Sequence, residues 1–380
     1  MTKGYVLCVL VFFVLATEFG FVPMAAYGRP ADQAIATGVL PGAIYANRDP
    51  YLFIHNAGLL TLQVTNLGLI GNPENQEFSA GWDGNEYLYS SGLWVGAIGG
   101  DSNPHVSSSD TRTYEFLPAI DPIATIYESF EGIRNGIRLG AENTETADDD
   151  GDGLVDEEFH NGLDDDGDGR IDEDYEAIGQ QMFSCEYRDD TPEAIANYPE
   201  HSPLNITVRQ RSFQWSAEGI NQFVGFDFEV INHGEQRLRK VYLAFFSDSD
   251  IGPKGAPGYP DDDRFGWARI DTTVVRGDGG SGGACAAERL QIDTAYMWDQ
   301  PDDGNQVNGG DAPGYFGSLF LGHTTDDTGI TAPQQVGLST IDWFSREGAR
   351  GDPTTDDERY ALISKGTKPT RIPTAPRDYR

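Results

Sequence analysis

Two aspartate-rich stretches carry the most specific spacing in the chain. Residues 148–159 read DDDGDGLVDEEF, and residues 164–175, sixteen positions on, read DDDGDGRIDEDY. Each has Asp at relative positions 1, 3 and 5, Gly at 6, an aliphatic residue at 8 and Asp at 9. A hard cation such as Ca2+ takes about six to eight oxygen ligands at about 2.3–2.6 Å. Alternate residues of a tight loop turn toward one point. That sets Asp148, Asp150 and Asp152 around one ion, and Asp164, Asp166 and Asp168 around another. Gly153 and Gly169 permit the sharp reversal, where a Cβ is costly. Leu154 and Arg170, at position 7, offer backbone carbonyls, and Asp156 and Asp172 reach in directly or through water. Val155 and Ile171 are expected to point away from the ions and pack between the loops. Magnesium fits less well, because it demands rigid octahedral geometry and keeps several waters.

The window 142–177 holds 17 acidic residues and one Arg, so -16 of the formal charge of -35 is concentrated there. Without metal these carboxylates repel one another. Millimolar calcium fills even sites with dissociation constants of about 10⁻⁴–10⁻³ M, so the segment is expected to order on binding. A solvated acidic linker is the plain alternative. Gly recurring at the same loop position in both copies argues for an ion instead.

The two loops resemble those of EF-hands, dockerins and thrombospondin type 3 repeats over about 28 residues. An EF-hand places a bidentate Glu at position 12, where this chain has Phe159 and Tyr175, and no amphipathic helix flanks either loop. The shorter type 3 or dockerin-like arrangement is the better match, with Glu158, Asp174 or Asn161 available to complete the shells. A further calcium site is offered near Asp248 and Asp250 (FSDSDIG, 246–252), with Asp262 or Asp263 from PDDDR (260–264). Its bland counterpart is ordinary turn chemistry.

No other pattern defines a reaction. The six His have neither HExxH nor HxH spacing, which argues against zinc. There is no GxSxG, no P-loop and no GxGxxG after a strand, so no catalytic residues are assigned. Trp82, Trp94, Trp215, Trp267, Trp298 and Trp343 are read as core residues before a sugar-binding platform. The balance of 61 acidic against 26 basic side chains argues against nucleic acid and anionic membrane surfaces as partners.

The elements that must position the loops are strands. The 46 Gly and 21 Pro suit an all-β chain with many turns. Leu60, Leu62 and Val64 alternate, and residues 87–98 (YLYSSGLWVGAI) are rich in aromatic and β-branched residues. LNITVRQRSFQW (204–215) alternates. Val224, Phe226, Phe228 and Val230 share one face, and Val241, Leu243 and Phe245 repeat the pattern after the turn at 232–235. The expectation is an antiparallel meander in a β-sandwich, with the acidic segment inserted. Residues 188–200 allow one short helix, capped by Asp190 or Thr191 with Pro192 in its first turn.

Residues 1–28 read as a secretory signal peptide: Lys3, the apolar run Val6–Ala16, then small residues at Ala25, Ala26 and Gly28. The run is short of the ~20 apolar residues a membrane span needs, although an uncleaved anchor helix is the alternative. Removal takes Cys8 away and leaves Cys185 and Cys285, as one disulfide or two free thiols. The division expected is 1–28 leader, 29–140 N-terminal β-rich part, 141–178 calcium-loop insertion, 179–346 main β-sandwich part, and 347–380 a polar Pro-rich segment, read as truncated.

Beyond the loops, several stretches resemble a group of large secreted bacterial proteins of uncharacterised function. They are NRDPYLFIHNAGLLTLQVTNLGLIGNP (47–73), EYLYSSGLWVGAI (86–98), ITVRQRSFQWS (206–216), the FVGFDFEVIN and VYLAFFSDSDIG run (223–252), DDERYALISKG (356–366) and the terminal DYR. The resemblance covers about half the chain and implies secretion or cell-surface placement, and no reaction. Members of the group often continue into further β modules and a type IX secretion sorting domain. The reading is a secreted calcium-binding protein with a structural or adhesive role. Its partners would be calcium and surface polysaccharide or other surface proteins, with no membrane span in the mature chain. The rivals are a polysaccharide-active hydrolase and a carbohydrate-binding module, each with purely structural calcium.

Overall fold

The computed structural model describes residues 5–16, 53–71, 78–110, 113–118, 126–130, 133–134, 137–138, 153–155, 159–172, 174–259, 261–276, 286–300, 311–323, 337–345 and 350–370. In chain order the strands are β1 (Tyr5–Ala16), β2 (Phe53–His55), β3 (Thr61–Val64), β4 (Leu69–Ile70), β5 (Ala80–Trp82), β6 (Asn85–Leu88), β7 (Ser90–Ile98), β8 (Pro104–Ser108), β9 (Leu117–Pro118) and β10 (Tyr127–Phe130). They continue with β11 (Ile133–Arg134), β12 (Ile137–Arg138), β13 (Gln181–Arg188), β14 (Ile206–Gln214), β15 (Phe223–Asn232), β16 (Arg239–Asp248), β17 (Asp263–Arg276), β18 (Ala286–Asp299) and β19 (Gly314–His323). Two short helices, α1 (Pro192–Asn197) and α2 (Asp356–Ile363), lie among the described residues.

The chain is all-β and antiparallel. One sheet runs β10-β13-β14-β15-β1-β19-β18-β17, with β9 added at β13. A second runs β16-β7-β4-β3-β5-β6, with β2 on β3 and β8 on β7, and β11-β12 is a separate hairpin. The period-two pattern explains the core. Val224, Phe226, Phe228 and Val230 of β15 all turn inward, and they share one apolar cluster with Val208 of β14 and with Leu62, Val64, Leu93 and Val95 of the second sheet. Burying each such side chain fully stabilises by about 1.5–3 kcal/mol. Buried Gln181 and Gln214 stitch the loop before β3 to the first sheet. The Gln181 amide accepts from the Asn56 N–H at 2.8 Å, and the Gln214 amide accepts from Gly58 at 2.9 Å and donates to the Leu60 carbonyl at 2.6 Å.

β7 is covered on both faces, which is why it reads as a near-continuous apolar run. Leu93, Val95 and Ala97 face the main core, while Trp94 faces a second cluster of Val106, Phe246, Phe344 and Ile363. Ile363 belongs to α2, and Gly96 makes its approach possible, because a Cβ there would lie 2.6 Å from the Ile363 Cδ1. The C-terminal stretch, expected to be a loose polar segment, therefore contains a docked helix. A complete capping box between Thr355 and Glu358 starts that helix.

Other expectations hold or shift in instructive ways. The short helix forms as α1, with Thr191 accepting the Ala194 N–H and Pro192 at its start. Residues 87–98 break at Tyr89 into β6 and β7. β14 and β15 pair as expected, but β16 does not continue the meander. It crosses to the second sheet and pairs with β7, from Arg239 opposite Ile98 to Asp248 opposite Ser90. At the crossing, the His233 and Gly234 N–H groups both donate to the Asn205 carbonyl at 3.2 Å, which turns the chain away from β15. The apolar run assigned to a leader is placed as β1, antiparallel to β15 on one side and β19 on the other. Cys185 is buried and free, its thiol 3.8 Å from the Thr65 carbonyl, and Cys285 lies outside the described residues. Among the described residues, no helix is long and apolar enough to cross a membrane.

Candidate metal centre

The second aspartate loop, apart from Glu173, lies within the described residues. Asp164, Asp166 and Asp168 each bring a carboxylate oxygen within 4.8 Å of the other two. Two oxygens on opposite sides of one calcium ion stand about 4.8 Å apart, twice a bond of about 2.4 Å, so the cluster has the dimensions of a single ion's shell. Local hydrogen bonds set this shape. Asp164 accepts from the N–H groups of Gly167 at 2.6 Å and Gly169 at 3.0 Å, Asp166 from Asp168 at 2.9 Å, and Asp168 from Arg170 at 2.7 Å. Gly169 has φ +100, and so does Gly153 at the equivalent position of the first loop. A side chain at either would be strained, as the recurrence of Gly implied.

The loop does not gather every expected ligand. Asp172 turns back to receive the Asn161 N–H at 2.8 Å and the Gly162 N–H at 3.0 and 2.9 Å, closing the base of the loop with its own φ at +52. Burial raises its carboxyl above the usual range, against the pull of those two N–H groups. Asn161 is committed to the Leu163 N–H and to Asp165. Asp174 is fully buried below the loop. Arg170 places its guanidinium 3.7 Å from Asp168. Val155 and Ile171 do not pack between the loops, being 50% and 61% exposed. Leu154 is exposed as well, while Asp148, Asp150, Asp152, Asp156 and Glu158 lie outside the described residues.

Position 12 supplies what the aliphatic position does not. Phe159 and Tyr175, where an EF-hand carries Glu, are both buried and act as plugs. The Arg209 guanidinium lies 5.1 Å over the Phe159 ring, and Tyr175 stacks on His160 at 4.2 Å. Arg209 and Arg211 stand two apart on β14 and so share a face. Arg209 reaches Asp165 and Glu229 at 3.7 Å and also pairs with Glu186. Arg211 holds Glu176 at 2.6 Å and pairs with Asp227. Sequence reasoning saw the missing Glu and not these anchors. The legible signal was RQR inside an alternating strand, which puts two cations opposite an acidic excursion.

A second acidic group sits where β16 ends and β17 begins. Asp248, Asp250, Asp262, Asp263 and Asp299 are all buried. Asp263 and Asp299 face one another across the β17–β18 ladder, where like charges destabilise. The Asp263 Oδ2 accepts the Ile251 N–H at 3.1 Å, and its Oδ1 has no hydrogen-bond partner. Burial, then Asp250, Asp299 and Asp262, push the Asp263 carboxyl well up.

Trp94 stacks in the core on Phe246 at 5.3 Å, and the other five tryptophans are half-buried. A half-buried aromatic cluster, Tyr296, Trp298 and Tyr315, has its rings at 31°, 39° and 67° to one another, so they are not coplanar. A cavity of about 380 Å³ bounded by Trp343, Arg350 and Lys365 carries a single carboxylate, Asp342, which Arg350 and Lys365 already hold. It offers no acid pair of the kind glycoside hydrolysis uses. Comparison with family models, curated proteins and solved structures found no match.

Proposed function

We propose that this chain is an extracellular calcium-binding protein, a β-sandwich whose acidic insertion is ordered by calcium for a structural or adhesive role at the cell surface or in the matrix. The observation that carries the proposal is the meeting of three carboxylates, Asp164, Asp166 and Asp168, within the span of one calcium shell. The Phe159 and Tyr175 plugs then transmit that order to the first sheet. Two sheets sharing one apolar cluster support the sandwich reading. The buried Asp250, Asp262, Asp263 and Asp299 group is a wider candidate for a further calcium site: it is not among the sets of described side chains that converge within 4.8 Å, but a divalent ion relieves like charges that face one another in a dry place. Calorimetric titration of the full chain with calcium tests the reading, beside Asp164→Ala with Asp166→Ala. Binding in the millimolar range or tighter, reduced in the double variant, is expected. Heat no greater than dilution would overturn it.

A further inference from the structure

Behind β8, three side chains from distant parts of the chain converge. Glu115 precedes β9, His201 follows α1, and Asp356 opens α2. One ligand atom from each lies within 4.8 Å of the other two, and the His201 Nδ1 is 3.6 Å from the Glu115 Oε1. Two donors on one tetrahedral zinc ion, with bonds of about 2.0–2.1 Å, stand about 3.3 Å apart. The observed pair has nearly that spacing and is too long for a hydrogen bond. His201 is 7% exposed, yet neither of its ring nitrogens has a hydrogen-bond partner. Buried polar groups are almost always paired, so an imidazole with two idle nitrogens facing two carboxylates points to a ligand.

The surroundings aim the set. The Glu115 Oε2 accepts from the Ser108 N–H at 2.8 Å and its hydroxyl at 3.0 Å, leaving Oε1 toward His201. The His105 Nδ1 stands 3.7 Å from Asp356, beyond hydrogen-bond reach, and its Nε2 is held by Asp101 at 3.0 and 3.1 Å, so the imidazole lines the pocket beside Asp356. The competing cation is Arg359, on the first turn of α2. Its guanidinium is 3.5 Å from the Glu115 Oε1, at the limit of a hydrogen bond, and its Nε has no partner. One guanidinium thus faces two carboxylates, and burial raises both of them, Glu115 to about 7.

We propose that Glu115, His201 and Asp356 bind one divalent transition-metal ion of the zinc class, which pins α2 to the rest of the fold. Imidazole with carboxylate selects such ions over calcium, so this site is independent of the aspartate loops. The full chain, stripped with chelator and held in excess calcium, is titrated with zinc by calorimetry and with cobalt by visible absorption. One equivalent is expected, weakened roughly tenfold or more by Asp356→Asn and by His201→Ala. His105→Ala, which removes a neighbour of Asp356 and no ligand, should weaken binding less than either. Asp164→Ala with Asp166→Ala should leave zinc binding unchanged. Asp356 is partly exposed at a helix start, so D356N decides the matter should H201A fail to fold. No zinc uptake, or uptake unchanged in D356N, would overturn the proposal and leave Arg359 as the counter-ion of Glu115.

Discussion

Phe159 shows how much one position of a loop motif can change. At the twelfth place an EF-hand spends a carboxylate on its ion, and this chain spends an aromatic ring on the sheet beneath. Phe159→Ala therefore removes a plug and no ligand. Emptying a buried Phe site costs about 3–5 kcal/mol, and here the cost falls on docking. The expected result is faster proteolysis within 160–176 and weaker calcium binding at Asp164, Asp166 and Asp168, read by calorimetry, with the core strands unaffected in circular dichroism. His160 adds a pH dependence. Burial lowers its imidazole from 6.5 to about 4, so the docked loop requires the neutral ring. The unfolded or undocked chain binds the proton first as pH falls. The stabilisation is thus complete above about pH 6.5 and is lost progressively toward pH 4. His55, buried against the Ser212 hydroxyl at 2.8 Å and lowered to about 3, acts in the same direction on the core. Proteolysis of the loop at pH 7 and pH 5 separates the two, because only His160 lies in the loop; equal cleavage rates would contradict this assignment.

At the scale of elements, the sequence reading was best where alternation is strict and weakest where a strand must choose a sheet. Val224 to Val230 announced β15 because one face is buried throughout. Nothing in Val241, Leu243 and Phe245 said that β16 would leave β15 for β7. That choice depends on the Asn205 carbonyl gathering two N–H groups across the chain, a contact no local pattern encodes. α2 was missed for a related reason: its stability comes from Gly96 and the Trp94 cluster, far away in sequence. On β14, Arg211 illustrates docking by charge. Arg211→Ala leaves Asp227, whose side chain is 7% exposed, beside Glu176 without that guanidinium. Breaking a buried pair in this way costs about 3–5 kcal/mol, and chemical denaturation of the variant should register most of it. β1 raises a separate question, because removal of a leader would strip the middle of the first sheet. If export removes residues 1–28, amides of β15 and β19 that face β1 should exchange with deuterium faster in protein taken from the medium than in the full chain. Equal protection in the two would mean that β1 is not what covers those edges.

For the whole molecule, the acidic balance is a liability that has to be countered at particular places. The aspartate loops were legible because their chemistry is local, a spacing of residues that needs no knowledge of the fold. The buried acidic group was legible only as separate pieces. Asp248 and Asp250 were visible after a strand, and Asp262 and Asp263 in a turn, but Asp299 joined them only through the β17–β18 register. Asp263 is the member on which a test turns. Its folded carboxyl titrates well above an exposed one, so the folded state holds extra protons between the two values. Stability contributed there is present at low pH and lost as pH rises through the ordinary carboxylate range and beyond. At neutral pH without metal, the group therefore opposes folding, and an ion that neutralises it stabilises by mass action, by about 2.7 kcal/mol at one hundred times its dissociation constant. Asp263→Asn removes the buried charge while keeping the size and an acceptor for the Ile251 N–H. In chelator at pH 7 the variant should melt above the parent, and the rise that calcium gives the parent should shrink. Were the group merely protonated carboxyls, D263N would raise the melting point in chelator and leave the calcium increment intact. That result would remove the third calcium site while leaving the one at Asp164, Asp166 and Asp168 in place.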